Sequence, residues 1–215
     1  MLHFHERLTR IGLEALEAYG FVLAGGYALS ANGMGDRPSM DVDLFTDQGD
    51  PERFAEAVLA LREALSESGL EVSDNRIGAT FADLKVVDPQ DWQQSDIQLG
   101  WDWREFPPRR IAIGPVLDPR DAVANKMGAL WSRGEARDFV DIDTVLGSGR
   151  FTKADLLMMG DTIEATPLDR ALLADRFRMI ARHPAAVFGQ YEVDPVRRDA
   201  MIGRFTAWAD EIDPR

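Results

Sequence analysis

Between Arg37 and Phe45 the chain reads Arg37-Pro-Ser39-Met40-Asp41-Val42-Asp43-Leu44-Phe45, and its alternation from Met40 onward limits what it can become. Apolar and polar side chains that change places at every residue belong to a β-strand with one buried face. Met40, Val42 and Leu44 take one face; Asp41, Asp43 and Phe45 take the other. Two residues of strand rise separate the aspartate Cα atoms by about 6.6 Å. Carboxylates at that spacing can converge on one hard cation or share two. Magnesium takes carboxylate oxygens and usually keeps water and substrate phosphate besides. Two metals about 3.5–4 Å apart can clamp the attacking and leaving oxygens of an in-line displacement. The competing reading is an ordinary solvated sheet face.

The flanking sequence supplies more of the frame. Residues 4–19 carry Phe4, Leu8, Ile11 and Ala15 at helical spacing, and Gly20 suits the stop. Phe21–Ala24 is a short apolar run that fits a buried strand. Gly25-Gly26 breaks it before Tyr27-Ala28-Leu29-Ser30, a helix start. A glycine turn between strand and helix lets backbone N–H groups approach a phosphate. It is not a P-loop, because that motif's lysine and hydroxyl are absent. Asp50-Pro51 opens a helix with Phe54, Ala57, Val58, Leu61 and Leu65 on one side. Strand-like pieces follow at Leu70–Val72, Thr80–Val87, Asp96–Leu99 and Arg110–Ile113. From Asp118-Pro119 the chain reads as helical, with further helix starts at Thr166-Pro167 and Asp194-Pro195. The order predicts an α+β fold with a C-terminal helical bundle and a boundary near Leu117.

Composition excludes several classes. The 215 residues suit one domain, or one with a helical appendage. No cysteine is present, so disulfides, thiolate metal sites and cysteine nucleophiles are excluded. No apolar run is long enough for a membrane helix, and the first residues lack a signal-peptide pattern, so a cytoplasmic location is expected. The net charge of −13 rules out a uniform basic nucleic-acid surface. Residues 104–137 nevertheless carry +3 against −16 for the remainder, through Arg104, Arg109, Arg110, Arg120, Lys126, Arg133 and Arg137.

Within that stretch, Asp118 can cap a helix that begins at Pro119 and bears Lys126, with Arg133 seven residues on. After Gly134, Arg137 and Asp141 are spaced for one face of a next helix, opposite Phe139, Ile142 and Leu146. A lysine with arginines suits triphosphate charge; the alternative is surface ion pairing, Arg137 to Asp141 above all.

Gly-Gly-Tyr-Ala-Leu followed by Arg-Pro-Ser-Met-Asp-Val-Asp-Leu-Phe resembles the first motif of polymerase-β-type nucleotidyltransferases. Residues 126–141, from Lys126-Met-Gly-Ala-Leu to Arg137-Asp138-Phe-Val-Asp141, resemble the second motif of one branch. That branch is the AbiEii/AbiGii family, which includes MenT-type toxins of toxin–antitoxin systems. The resemblance runs from about residue 20 to 146. It implies a mixed sheet flanked by helices as a catalytic domain over 1–117, and a helical domain over 118–215 that contributes the Lys/Arg/Asp motif.

By the same resemblance, Asp41 and Asp43 are metal ligands and catalytic residues, with Mg2+ as the cofactor. Asp96 is the chosen third carboxylate, with Asp83 and Asp102 as rivals. Gly25, Gly26 and Ser39 contact the nucleotide. Lys126 and Asp141 join the catalytic set, and Arg133, Arg137 and Asp138 the substrate-binding set. The implied activity is transfer of a nucleoside monophosphate from an NTP to RNA, with the tRNA 3′ end as leading acceptor and a cognate antitoxin as partner. Nucleotidylation of a small aminoglycoside-like molecule or of a protein is one alternative; a catalytically silent binding module is the other. His3, His5 and His183 lack metal-ligand spacing. Trp92, Trp101, Trp103 and Phe106 read as core or sheet-edge packing rather than base-stacking surface.

Overall fold

The alternating segment forms a six-residue strand, Asp41–Thr46, in the computed structural model, which describes residues 1–35, 37–163 and 166–214. Val42 and Leu44 are fully buried, while Asp41, Asp43 and Phe45 are half-buried on the other face. Met40 precedes the strand and is 65% exposed, so the buried stripe starts at Val42.

The chain divides into two compact units, Met1–Asn32 with Pro38–Pro119, and Gly33–Arg37 with Arg120–Arg215. The first contains α1 (His3–Ala15), β1 (Val22–Leu23), α2 (Gly25–Ala31), β2 (Asp41–Thr46) and α3 (Pro51–Glu67). Five strands follow: β3 (Glu71–Ile77), β4 (Phe81–Val87), β5 (Gln94–Trp101), β6 (Arg109–Ile111) and β7 (Gly114–Val116). Among the described residues the seven strands form one mixed sheet in the order β3-β4-β5-β2-β1-β7-β6. β2 runs parallel to β5 and β1 parallel to β7; the other neighbours are antiparallel.

One sheet face is the core. Ala82, Leu84, Val86, Ile97 and Leu99 join Val42 and Leu44 on it, all fully buried. Helix α1 lies directly on β2, since a Cβ on Gly12 would stand 2.6 Å from Leu44 Cδ1. Helix α3 starts where Asp50 accepts from the N–H groups of Glu52 and Arg53, with Pro51 in the first turn. It buries Phe54, Ala57, Val58, Leu61 and Leu65. Each of these side chains except Ala57 contributes about 1.5–3 kcal/mol on leaving water.

The elements depart from the periodicity in a few places. The first helix ends at Ala15, and Glu17–Tyr19 tightens into a 3-10 turn closed by Gly20 at φ +69°. β3 is longer than Leu70–Val72 because it is an exposed edge strand with no apolar face to mark it. The Arg110–Ile113 piece falls on β6 and its turn, and β7 beyond it completes a hairpin. Trp92 is not core: it sits at φ +61° and is 75% exposed. Trp101 lies at the end of β5 against Gly49, whose added Cβ would meet the ring at 2.8 Å.

The second unit is helical: α4 (Pro119–Ser132), α5 (Ala136–Gly147), α6 (Lys153–Gly160), α7 (Arg170–Arg178), α8 (Ala185–Gly189) and α9 (Pro195–Ile212). Aromatic packing holds it. Phe139 meets Phe205 edge-on at 5.1 Å, and Phe177 lies 4.5 Å from Trp208. Asp194 caps α9 as its sequence suggests; α7 starts later than Thr166-Pro167, capped by Asp169. Helix α6 buries Leu156 and Met159 and leaves Met158 exposed. Among the described residues no helix is long and apolar enough to cross a membrane.

Candidate active site

The half-buried face of β2, β5 and β4 carries the polar residues in rows set by register. Asp41 lies beside Asp96, which lies beside Lys85; Asp43 lies beside Gln98, which lies beside Asp83. Adjacent strands are about 4.8 Å apart, so four carboxylates share a small area. Asp102 lies beyond the end of β5, where its N–H donates to Thr46 O, and is therefore remote from Asp41 along the strand.

Two contacts tie this face to the preceding loops. A Cβ on Gly25 would stand 1.7 Å from Asp43 Oδ2, and Gly25 has φ +59°. Glycine is therefore required there on steric and backbone grounds together, and the Asp43 carboxylate rests against the first turn of α2. Ser39 is buried and donates from Oγ to Asp41 Oδ1 at 3.1 Å. Behind α2, buried His5 Nδ1 lies 2.6 Å from the Tyr27 hydroxyl. Burial holds the His5 ring below its usual pKa, and the Asp41 charge opposes that.

Asn75 completes the face from β3. The register of β3 with β4 shifts between Asp74 and Arg76, a bulge that leaves Asn75 as the extra residue. Its amide reaches Asp96 Oδ1 at 3.0 Å and Asp83 Oδ1 at 3.3 Å. Burial raises the Asp83 carboxyl above the usual range; the Asn75 hydrogen bond works against this, and the Asp96 and Asp41 charges add to it. Among the described residues no three His, Asp or Glu side chains close into a metal-holding group. The donor set nonetheless suits a hard dication: carboxylate oxygens gathered on one sheet face, with the Asp43 carboxylate seated where any residue but glycine at position 25 would place its Cβ.

In the second unit, Asp141 of α5 is 3% exposed and holds two cations. Both its oxygens accept from Arg37, Nε donating to Oδ1 at 2.5 Å and Nη2 to Oδ2 at 2.8 Å. Lys126 Nζ of α4 lies 2.9 Å from Oδ2, and the lysine is 8% exposed. The trio therefore carries one net positive charge. Burial alone would raise the Asp141 carboxyl; the Lys126 charge and then Arg37 outweigh it and hold it below the usual range. The Arg37 guanidinium also lies over the Tyr191 ring at 5.3 Å.

The alternative reading, an Arg137–Asp141 surface pair, gives way to these contacts, and Arg137 Nε sits 3.0 Å from Glu135 Oε2. Asp138 is fully buried, takes both nitrogens of an Arg133 fork at 3.0 and 2.9 Å, and accepts the Glu135 N–H that opens α5. Of the other basic residues, Arg104 donates to Asp47 and Gly20, and Arg109 to Asn32, while Arg110 is largely exposed. Arg37, Asn75 and Lys85 were not singled out from sequence. Arg37 stood inside the first motif, four residues before Asp41. The other two have no signal short of strand register.

The family described as nucleotidyl transferase AbiEii toxin, type IV TA system, matches residues 8–212. The chain is similar in structure to the nucleotidyltransferase toxin MenT4 of Mycobacterium tuberculosis H37Rv, at TM-score 0.61 and 18% identity, covering 98% of this chain and 84% of that one. A nucleotidyltransferase-classed protein of Helicobacter pylori aligns at TM-score 0.57 and 14% identity, covering 97% and 96%. JHP933 of Helicobacter pylori aligns at TM-score 0.53 and 16% identity, covering 97% and 90%. At these identities the structural likeness is one of fold. No curated protein matches the chain in sequence.

Proposed function

The chain belongs to the AbiEii family of nucleotidyltransferase toxins of type IV toxin–antitoxin systems, and from that premise we propose that it transfers a nucleoside monophosphate from an NTP to a hydroxyl of RNA, the tRNA 3′ end being the leading acceptor. Membership implies an NTP substrate and an antitoxin partner. The observation that carries the reading is the Asp41–Asp96 row with Asp43 seated against Gly25.

Asp41 and Asp43, with Asp96 as the third carboxylate, would hold Mg2+, which when bound neutralises phosphate charge and orients oxygens. The backbone of Gly25 and Gly26 and the Ser39 hydroxyl are assigned to the nucleotide, Ser39 also fixing the Asp41 carboxylate by its hydrogen bond. The acceptor oxygen forms a bond to the α-phosphorus, the bond from that phosphorus to pyrophosphate breaks, and pyrophosphate leaves. We assign the hydroxyl proton to Asp96. Asp141 suits that role poorly, because both its oxygens are engaged and two cations hold its pKa down. Asp141 is instead a positioning residue for Lys126 and Arg37. Lys126 is assigned the triphosphate, and Arg133, Arg137 and Asp138 support its helix pair. Such chemistry needs positioning and charge stabilisation more than covalent help.

The test is incubation with each labelled NTP, Mg2+ and, in separate reactions, total RNA, purified tRNA, total protein or an aminoglycoside. Label on RNA that is absent for Asp41→Asn is the expected result. Label only on protein or the small molecule, or none, overturns the acceptor assignment.

A further inference from the structure

Beside Asp96 the sheet face opens into a small pocket of about 300 Å³, lined by Met40, Asn75, Lys85, Gln94, Ser95 and Asp96. All six belong to the first unit. Resting on the reading above, we propose that this pocket takes the terminal nucleotide of a polynucleotide acceptor, with Lys85 holding the phosphodiester 5′ to the reacting hydroxyl.

Three observations carry this. The first is the state of Lys85. It is half-buried on the face that bears Asp41, Asp43, Asp83 and Asp96, and is the one cation contributed to that face by β2, β4 and β5. Among the described residues its ammonium makes no hydrogen bond or ion pair, although Asp96 is its register neighbour. An ammonium with spare donors beside a pocket is a place for an anion. On a face with four carboxylates, it is also where a polynucleotide can set a phosphate down without being repelled.

The second is order across the sheet. Lys85, Asp96 and Asp41 stand in one row on three adjacent strands, so the end positions are about 9.6 Å apart at the backbone. A phosphate on Lys85 thus leaves the attached nucleoside to reach toward Asp96, the residue assigned its hydroxyl proton. The third is the lining. Met40 is an exposed, polarisable apolar wall. Gln94 supplies an amide that can both donate and accept, and Asn75, whose N–H groups are given to Asp96 and Asp83, supplies a carbonyl that can accept; the β3 bulge sets it beside Asp96. Apolar wall, amide edges and one cation match a base, its hydrogen-bonding edge and a phosphate. The volume is at the small end for ligand sites, which suits one nucleotide rather than a duplex.

The experiment compares wild type, Lys85→Gln and Lys85→Arg, with melting curves to establish equal folding. Transfer is measured against RNA concentration at several salt concentrations, and Mg2+-dependent NTP binding is measured by titration without RNA. We expect Lys85→Gln to raise KM for RNA tenfold or more and to flatten the log–log salt slope by about 0.7, the share of one phosphate on a single strand. NTP binding should hold, and Lys85→Arg should restore the slope. A nucleoside with no 5′ phosphate should be a poor acceptor for wild type and Lys85→Gln alike. Equal KM and slope in wild type and Lys85→Gln would overturn the proposal. Loss of NTP binding instead would also overturn it and give Lys85 to the triphosphate. No RNA label with wild type itself would overturn the RNA reading and this one together, a failure visible before any variant is compared.

Discussion

Asp43 and Gly25 make the strictest residue-scale demand. The carboxylate occupies the space where any other residue at position 25 would place its Cβ. Gly25→Ala should therefore cost about 1–3 kcal/mol from left-handed backbone and steric strain. It should also reduce transfer as far as a ligand substitution does, read from melting curves and labelled-NTP assays in parallel. Asp41→Asn and Asp43→Asn should separate those two effects. Each removes charge where charge neutralisation is the function, so turnover should fall on the order of 10³-fold or more. Stability should move by less than about 1 kcal/mol, because both side chains are half-exposed and sit among like charges. Near-normal turnover in either variant would remove the metal assignment.

At the scale of elements, the Arg37–Asp141–Lys126 cluster joins the segment before β2, α5 and α4 within the second unit. Asp141→Asn leaves two buried cations without their anion. It should destabilise by about 3–5 kcal/mol, which for a chain of this size lowers Tm by roughly 6–20 °C. The pH sign follows from the lowered carboxyl. Its stabilisation is complete above the unfolded carboxylate pKa of about 3.9 and is lost as pH falls through the lower folded value. Acid unfolding of wild type should therefore steepen below about pH 4, and Asp141→Asn should lack that limb. Equal acid limbs would refute it. The same cluster marks what sequence could and could not convey. β2 was legible because alternation is local. Lys126 and Asp141 were singled out through a motif, though not as the ion pair they form. That Asp141 would bind Arg37 rather than Arg137 depends on tertiary contact across 104 positions, which helical spacing cannot encode. β3 was read short because an edge strand has no buried stripe, and its bulge, which aims Asn75, leaves no local pattern.

For the whole molecule, charge is the governing quantity. The basic stretch over 104–137 falls in both units, and several of its cations are engaged: Arg104 by Asp47, Arg109 by Asn32 and Arg133 by Asp138. A chain at −13 with so few cations to spare should hold random single-stranded RNA weakly. At physiological salt we expect a Kd weaker than about 10⁻⁴ M for a random strand, at the weak end of non-specific binding. Tight, sequence-blind retention in a filter-binding assay would contradict that.

The parallel pairing of β2 with β5 bears on when such a chain becomes harmful to the cell that makes it. Asp41 gains its neighbour Asp96 only after the intervening helix and the β3–β4–β5 meander exist. Local hairpins close first and long-range pairs last. At about 5–20 residues per second, synthesis alone separates the two aspartates by several seconds. On the proposed role of Asp96, a nascent chain carrying Asp41 and Asp43 should stay inert on the ribosome until β5 is made, and a message truncated before β5 yields a fragment with the aspartate pair but no row for it to complete.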